Sequence, residues 1–209
     1  MLLIAVMCVI YAWQMIVGWE GYYPFMAVPA EITRSWQNVR EGSFSGRDLT
    51  TFGTMLSCAF LHGDPAHIVY NMLFFWLFAA LAAELLGSSW MLVIFFFTAL
   101  TGSLCHVLFN AQDATPMLGA SGAVMGFEGA YLGLAVRWKL PDPHIFPLAR
   151  PIPPAHLAAL AVIGIAIDWT SIMNQSQTNV AYGAHLGGFI GGIFLTSFLA
   201  QKPKLAEVR

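Results

Sequence analysis

Six apolar runs of near-membrane length, set apart by polar intervals, dominate the chain: Leu2 to about Val17, Pro65 to about Leu86, Trp90 to about Phe109, Leu118 to about Val136, His156 to about Met173, and Val180 to about Ala200. A hydrocarbon core roughly 30 Å thick calls for about 20 apolar residues in a helix. The pattern therefore predicts an all-α, polytopic membrane protein of six transmembrane helices, with residues 1–209 forming a single membrane domain. The first run starts at the second residue, with no basic stretch ahead of it and no small-residue cleavage pattern before Gly18, and reads as a retained helix.

The polar intervals differ in character. Gly18 to Gly53 is the longest and reads as an aromatic-rich loop, with Trp19, Tyr22, Tyr23, Phe25, Trp36 and Phe44 suited to the headgroup zone. Thr54 to Leu61 is apolar but too short to span, and it runs into His62-Gly63-Asp64-Pro65. Asp64 then Pro65 is a helix-start signal: a capping carboxylate, then a residue whose missing N–H is not needed in the first turn. Arg137 to Pro154 holds six prolines and reads as a surface linker.

Composition agrees with the pattern. Hydrophobic residues make up 58%, charged residues 10%, and the mean hydropathy is +0.68, whereas soluble domains carry roughly 25% charged residues. A net charge of -2 without a basic block argues against a nucleic-acid partner. Cys8, Cys58 and Cys105 have no paired spacing, so neither a disulfide framework nor a metal site is indicated, and no cofactor is implied. Basic residues set the orientation. With the N-terminus inside, Arg137, Lys139, Arg150, Lys202, Lys204 and Arg209 face the cytoplasm against Arg34, Arg40 and Arg47 outside, which favours N-in and C-in.

That topology aligns polar groups in depth. His67 and Asn71, Ser121, and His185 each lie within a few residues of the start of the second, fourth and sixth apolar runs, all running from outside to inside. Intramembrane polar groups are costly and by default suggest function. Small residues four apart, Gly122, Gly126 and Ala130 on the fourth run and Ala184, Gly188 and Gly192 on the sixth, would let these two helices approach closely. Packing alone could account for Ser121. A serine with a histidine base is also the usual pairing for nucleophilic attack on an acyl group. Asn71, His67 and the N–H groups at the start of the fourth helix could then stabilise an oxyanion.

Taken together, His67-Ile68-Val69-Tyr70-Asn71, Gly119-Ala120-Ser121-Gly122, and Gly183-Ala184-His185 with Gly187-Gly188 resemble the rhomboid intramembrane serine proteases over about Leu2 to Ala200. The resemblance implies a Ser-His dyad of Ser121 and His185, with oxyanion stabilisation by Asn71, His67 and the Ser121 N–H. It implies no aspartate orienter, membrane-anchored protein substrates cut in or near their transmembrane segments, and access by movement of the fifth helix and the outer loop Asn174 to Asn179. Two positions depart from the family pattern: Phe52-Gly53-Thr54 stands where a Trp-Arg pair is common, and Met125 where an aromatic ring often packs on the histidine. A bare six-helix core suits a prokaryotic inner membrane, with the site toward the outer face.

Other residues read as structural. Glu128 lies two turns below Ser121, and a structural role is weighed there against a water or proton role. His106 and Asp168 read as packing or interface residues, His62 as a holder of water near the site, and His144 and His156 as exposed. Competing functions are a proton- or ion-coupled transporter using His106, Glu128, Asp168 and His185, and a non-proteolytic relative that binds membrane clients. The absence of an internal repeat weakens the first, and the joint presence of Ser121 and His185 weakens the second. A soluble serine hydrolase fails because Ala123 replaces the last glycine of the nucleophile elbow.

Overall fold

A computed structural model describes residues 2–143, 152–174 and 180–208. His144, Arg150, Arg209 and the greater part of the outer loop named above lie outside the described residues. The apolar runs form α1 (Leu2–Tyr22), α4 (Pro65–Leu86), α5 (Ser88–Phe109), α6 (Ser121–Arg137), α7 (Pro154–Met173) and α8 (Tyr182–Phe198), and two shorter helices, α2 (Pro29–Arg40) and α3 (Gly46–Ser57), fill the interval before α4.

By length and composition, four helices among the described residues can cross a membrane: α1, α4, α5 and α7. The two that bear Ser121 and His185 are 17 residues each, about 25 Å at 1.5 Å per residue. Their shortness follows from where they sit. α6 is buried along nearly its whole length and α8 along its glycine face, so protein rather than lipid surrounds much of their backbone and hydrocarbon thickness does not fix their length.

Small residues make that centre possible. The Cα atoms of Gly188 and Gly192 on α8 press on the carbonyls of Gly122 and Gly126 on α6, Gly129 of α6 presses on the carbonyl of Phe189, and a Cβ on Gly122 would stand 3.1 Å from the Ala184 carbonyl. Thr196 adds a hydroxyl bond to the Ala130 carbonyl at 2.9 Å. Outside this seam lies an aromatic layer in which Phe75 meets Phe95 and Phe127 edge-on, at ring separations of 5.7 and 5.3 Å. At the far end Arg137 donates to the carbonyls of Thr196 (3.0 Å) and Ala200 (3.1 Å), satisfying groups that the end of α8 leaves unpaired. The next two residues, β1 (Trp138–Lys139), pair antiparallel with β2 (Glu207–Val208).

The interval Gly18 to Gly53 is largely helical rather than a loop. Gly18, at φ 68°, breaks α1 where the first apolar run ends. α2 and α3 each bury one narrow face, Ile32 and Ser35 on the first and Asp48 and Met55 on the second. Their outer faces carry Trp36, Val39 and Leu49 exposed, the distribution of helices lying at an interface. Asp48 closes the turn between them, accepting from the Ser45 N–H (2.8 Å), the Ser45 hydroxyl (2.6 Å) and Asn38 (2.8 Å). These bonds, the Ser45 hydroxyl first, hold its carboxyl well below the usual carboxylate range. Phe52, at the departure from the family pattern, packs edge-on against Trp36 at 6.4 Å and so joins α3 to α2.

Candidate active site

Ser121 is the first residue of α6, and its approach is tied down on both sides. Met117 and Ala27 exchange backbone hydrogen bonds at 2.8 and 3.2 Å, and the Gly119 N–H donates to the Cys58 carbonyl at 2.9 Å. Gly119 then turns the chain at φ +128°, a conformation open essentially to glycine. It also has no room for a side chain: a Cβ there would lie 2.8 Å from His67 Nε2 and 3.7 Å from Ser121 Oγ. His67, Gly119 and Ser121 thus converge on one point. No side chain caps α6, so its first-turn N–H groups remain available to an anion at the positive end of the helix dipole.

His67 owes its placement to the cap that the sequence announces. Asp64 accepts the His67 N–H at 2.8 Å with Pro65 as the first helical residue. The Gly63 N–H donates to His67 Nδ1 at 3.3 Å, which puts the ring proton on Nε2, the nitrogen turned toward Gly119. One turn on, Asn71 is 6% exposed and its side-chain nitrogen has no hydrogen-bond partner among the described residues. A buried donor without an acceptor costs about 1–3 kcal/mol, a cost that a catalytic site can offset by its use.

His185 lies in the first turn of α8, and its neighbour Ala184 touches both Gly122 of α6 and Gly102 of α5. Among the described residues no hydrogen bond joins Ser121 to His185. His185 Nδ1 instead meets Asp168 Oδ2 at 2.6 Å, with both side chains about 15% exposed (15% and 14%). A carboxylate accepting from Nδ1 leaves Nε2 with its lone pair as the basic nitrogen. The resemblance implies no aspartate orienter, and the contact of Asp168 with His185 corrects that expectation. Asp168 lies in the last third of α7 and His185 in the first turn of α8, so the two stand near facing helix ends.

His62 is 1% exposed, with both ring nitrogens lacking partners among the described residues and its ring edge-on to His67 at 5.3 Å. Burial, with His67 beside it, pushes the His62 pKa down to about 4, so the ring is neutral near pH 7. Gln14 of α1 clamps its backbone, donating to the His62 carbonyl at 3.1 Å and accepting its N–H at 3.0 Å. Behind Ser121 a cavity of about 20 Å³, lined by Cys58, Ser103, Gly119 and Ala184 among others, has room for about one water. The Cys58 thiol there is pushed up to about 11 by burial and stays protonated. His106 bonds with Asn110 (2.9 Å through its carbonyl), Glu128 is buried with Oε2 facing Gly164 of α7, and His156 is exposed.

A helical membrane bundle with a serine and a histidine at the heads of two glycine-packed central helices defines a class, and comparison with known proteins gives it a family. The Rhomboid domain model matches residues 50–202. The chain belongs to the rhomboid family, whose characterised members include intramembrane serine proteases, and is an integral membrane protein. It is 26% identical to RHOMBOID-like protein 5 of Arabidopsis thaliana over 74% of this chain and 46% of that protein. It is 28% identical to the mitochondrial Rhomboid protein 1 of Saccharomyces cerevisiae (82% and 49%) and 30% identical to the Rhomboid protease GluP of Bacillus subtilis (69% and 25%). The chain thus spans about half the length, or less, of these three relatives.

Proposed function

We propose that the protein is an intramembrane serine endopeptidase that cleaves membrane-anchored proteins in or near their transmembrane segments. The observation that carries this is the meeting of Ser121 Oγ, the donor edge of His67 and the side-chain-free Gly119 at the uncapped head of α6. In this reading His185 Nε2 takes the Ser121 proton as Oγ attacks the scissile carbonyl carbon. The Ser121 N–H, Asn71 Nδ2 and His67 Nε2–H receive the oxyanion. The imidazolium then protonates the leaving amine, and an acyl ester on Ser121 remains. Water, deprotonated by His185, attacks that ester and releases the carboxylic product.

α6 and α8 complete six spans in this proposal, with N-terminus and C-terminus inside and the site toward the outer face of a prokaryotic inner membrane. Substrate approaches beside α7, which buries only Leu157 and Ala161. The test combines a serine-directed fluorophosphonate with a single-transmembrane reporter, on wild type, Ser121→Ala and His185→Ala in liposomes. Wild type is expected to label and to cleave, and both variants to lose cleavage. Retained cleavage by either variant refutes the dyad, whereas reporter binding without cleavage by wild type marks a client-binding protein.

A further inference from the structure

We infer that Asp168 is a positioning residue for His185, carried on α7 so that the base is correctly held only while that helix is docked. The inference rests on the protease reading above and adds a third residue to it. Its geometry is the 2.6 Å contact between Asp168 Oδ2 and His185 Nδ1, both largely withdrawn from solvent. A short bond between a carboxylate and an imidazole N–H does two things at once: it selects the tautomer with the lone pair on Nε2 and sets the ring plane. The proton on Nδ1 stays with the imidazole throughout, and the carboxylate stabilises the imidazolium that forms when Ser121 gives up its proton.

The placement of Asp168 on α7 gives the bond a second consequence. α7 buries Leu157 and Ala161 in its first half, and from Val162 to Met173 no residue is fully buried. Among the described residues, Asp168 makes the one side-chain hydrogen bond from α7 to another helix. The half of α7 nearest the site is therefore held to the bundle by partly buried residues and by this bond to His185. Gly164, one turn earlier, lies over the Glu128 carboxyl of α6, where a Cβ would stand 3.9 Å from Oε2. Movement of α7 away from α8 breaks the Asp168–His185 bond and releases the imidazole. Docking of α7 restores it, so the serine is activated only with the helix in place. The other groups near His185 are its neighbour Tyr182 on α8, with rings 6.2 Å apart, His67 on α4 and His106 on α5. Among the described residues none of these is an anion.

The test compares wild type with Asp168→Asn and Asp168→Glu, with Ser121→Ala and His185→Ala as references for the protease reading. Asp168→Asn is expected to lower kcat for the reporter, and the rate of fluorophosphonate labelling, about 10- to 100-fold. KM and the thermal midpoint should change little, and Asp168→Glu should recover part of the loss. With 15N-labelled histidine, wild type is expected to show a downfield Nδ1–H resonance from His185 that Asp168→Asn lacks. If Ser121→Ala and His185→Ala abolish cleavage while Asp168→Asn labels at the wild-type rate, the positioning role is refuted and the dyad stands. Faster cleavage by Asp168→Asn would make the bond a latch on α7 and would equally overturn the inference. Should Asp168→Asn fail to fold, absence of the downfield resonance from wild type refutes the inference, and its presence supports it.

Discussion

The Cα of Gly188 on α8 lies against the carbonyl of Gly122 on α6 so closely that no side-chain carbon fits between them. Because the obstacle is backbone, it cannot rotate aside. Gly188→Ala should therefore cost about 1–3 kcal/mol or more through forced separation of the two helices, read as a lower unfolding midpoint together with lost activity. Gly53→Ala is the control: it sits in α3 with nothing within 4 Å of its Cβ position. That substitution should leave stability unchanged or raise it by about 0.5–1 kcal/mol.

Asn71 separates stability from activity in the opposite sense. Its side-chain nitrogen is buried without a partner among the described residues, so Asn71→Ala takes away no hydrogen bond donated by that nitrogen to them. Thermal stability should stay the same or rise, while kcat for the reporter falls about 100-fold at nearly constant KM, as for the loss of one oxyanion donor. Steady-state kinetics beside a melting curve checks both halves.

Acid should destabilise the fold through His62. Its pKa is depressed in the folded state to about 4 against an ordinary 6.5, so the unfolded chain binds the proton first. The stability contributed by the neutral ring is present above pH 6.5 and lost as pH falls from 6.5 to 4, by up to about 3 kcal/mol. Unfolding midpoints measured from pH 7.5 to 4 should fall more steeply for wild type than for His62→Phe. Equal slopes would sink the assignment.

Gln14 makes a related prediction at longer range. Gln14→Leu would leave the buried N–H and carbonyl of His62 without partners, at about 1–3 kcal/mol for each group. The same change frees the segment that leads to His67, so activity should fall further than Asp64→Asn, which keeps an acceptor for the His67 N–H, would lower it. Parallel melting and cleavage assays on the two variants check this order.

Much of this was legible in the chain because it is local or periodic. Asp64-Pro65 announces the start of α4 and does cap it, and the four-residue spacing of glycines on α6 and α8 announces a seam that the helices do form. The three motif helices begin where the polar residues lie. What escaped depends on how helices turn about their own axes. Asp168 reaches His185, and Gln14 reaches His62 across 48 residues, and neither pairing leaves a period or a spacing to read. α2 and α3 were hidden differently: each is only 12 residues long with scattered charges, too short and too polar to stand out beside apolar runs. The apolar runs reach beyond α6 and α8 because an apolar run counts residues suited to lipid, whereas α6 is enclosed by protein and α8 is covered along its glycine face.

The glycine seam and the far-end fastening through Arg137 and the β1–β2 pair also set the order in which the molecule opens. Amide protons in α6 and on the glycine face of α8 lie in the doubly anchored seam and should be among the last to exchange with solvent deuterium, while those in the second half of α7 exchange among the first. Asp168 and His185 face each other across that divide, so the bond between them joins the slowest-opening part of the protein to one of the fastest.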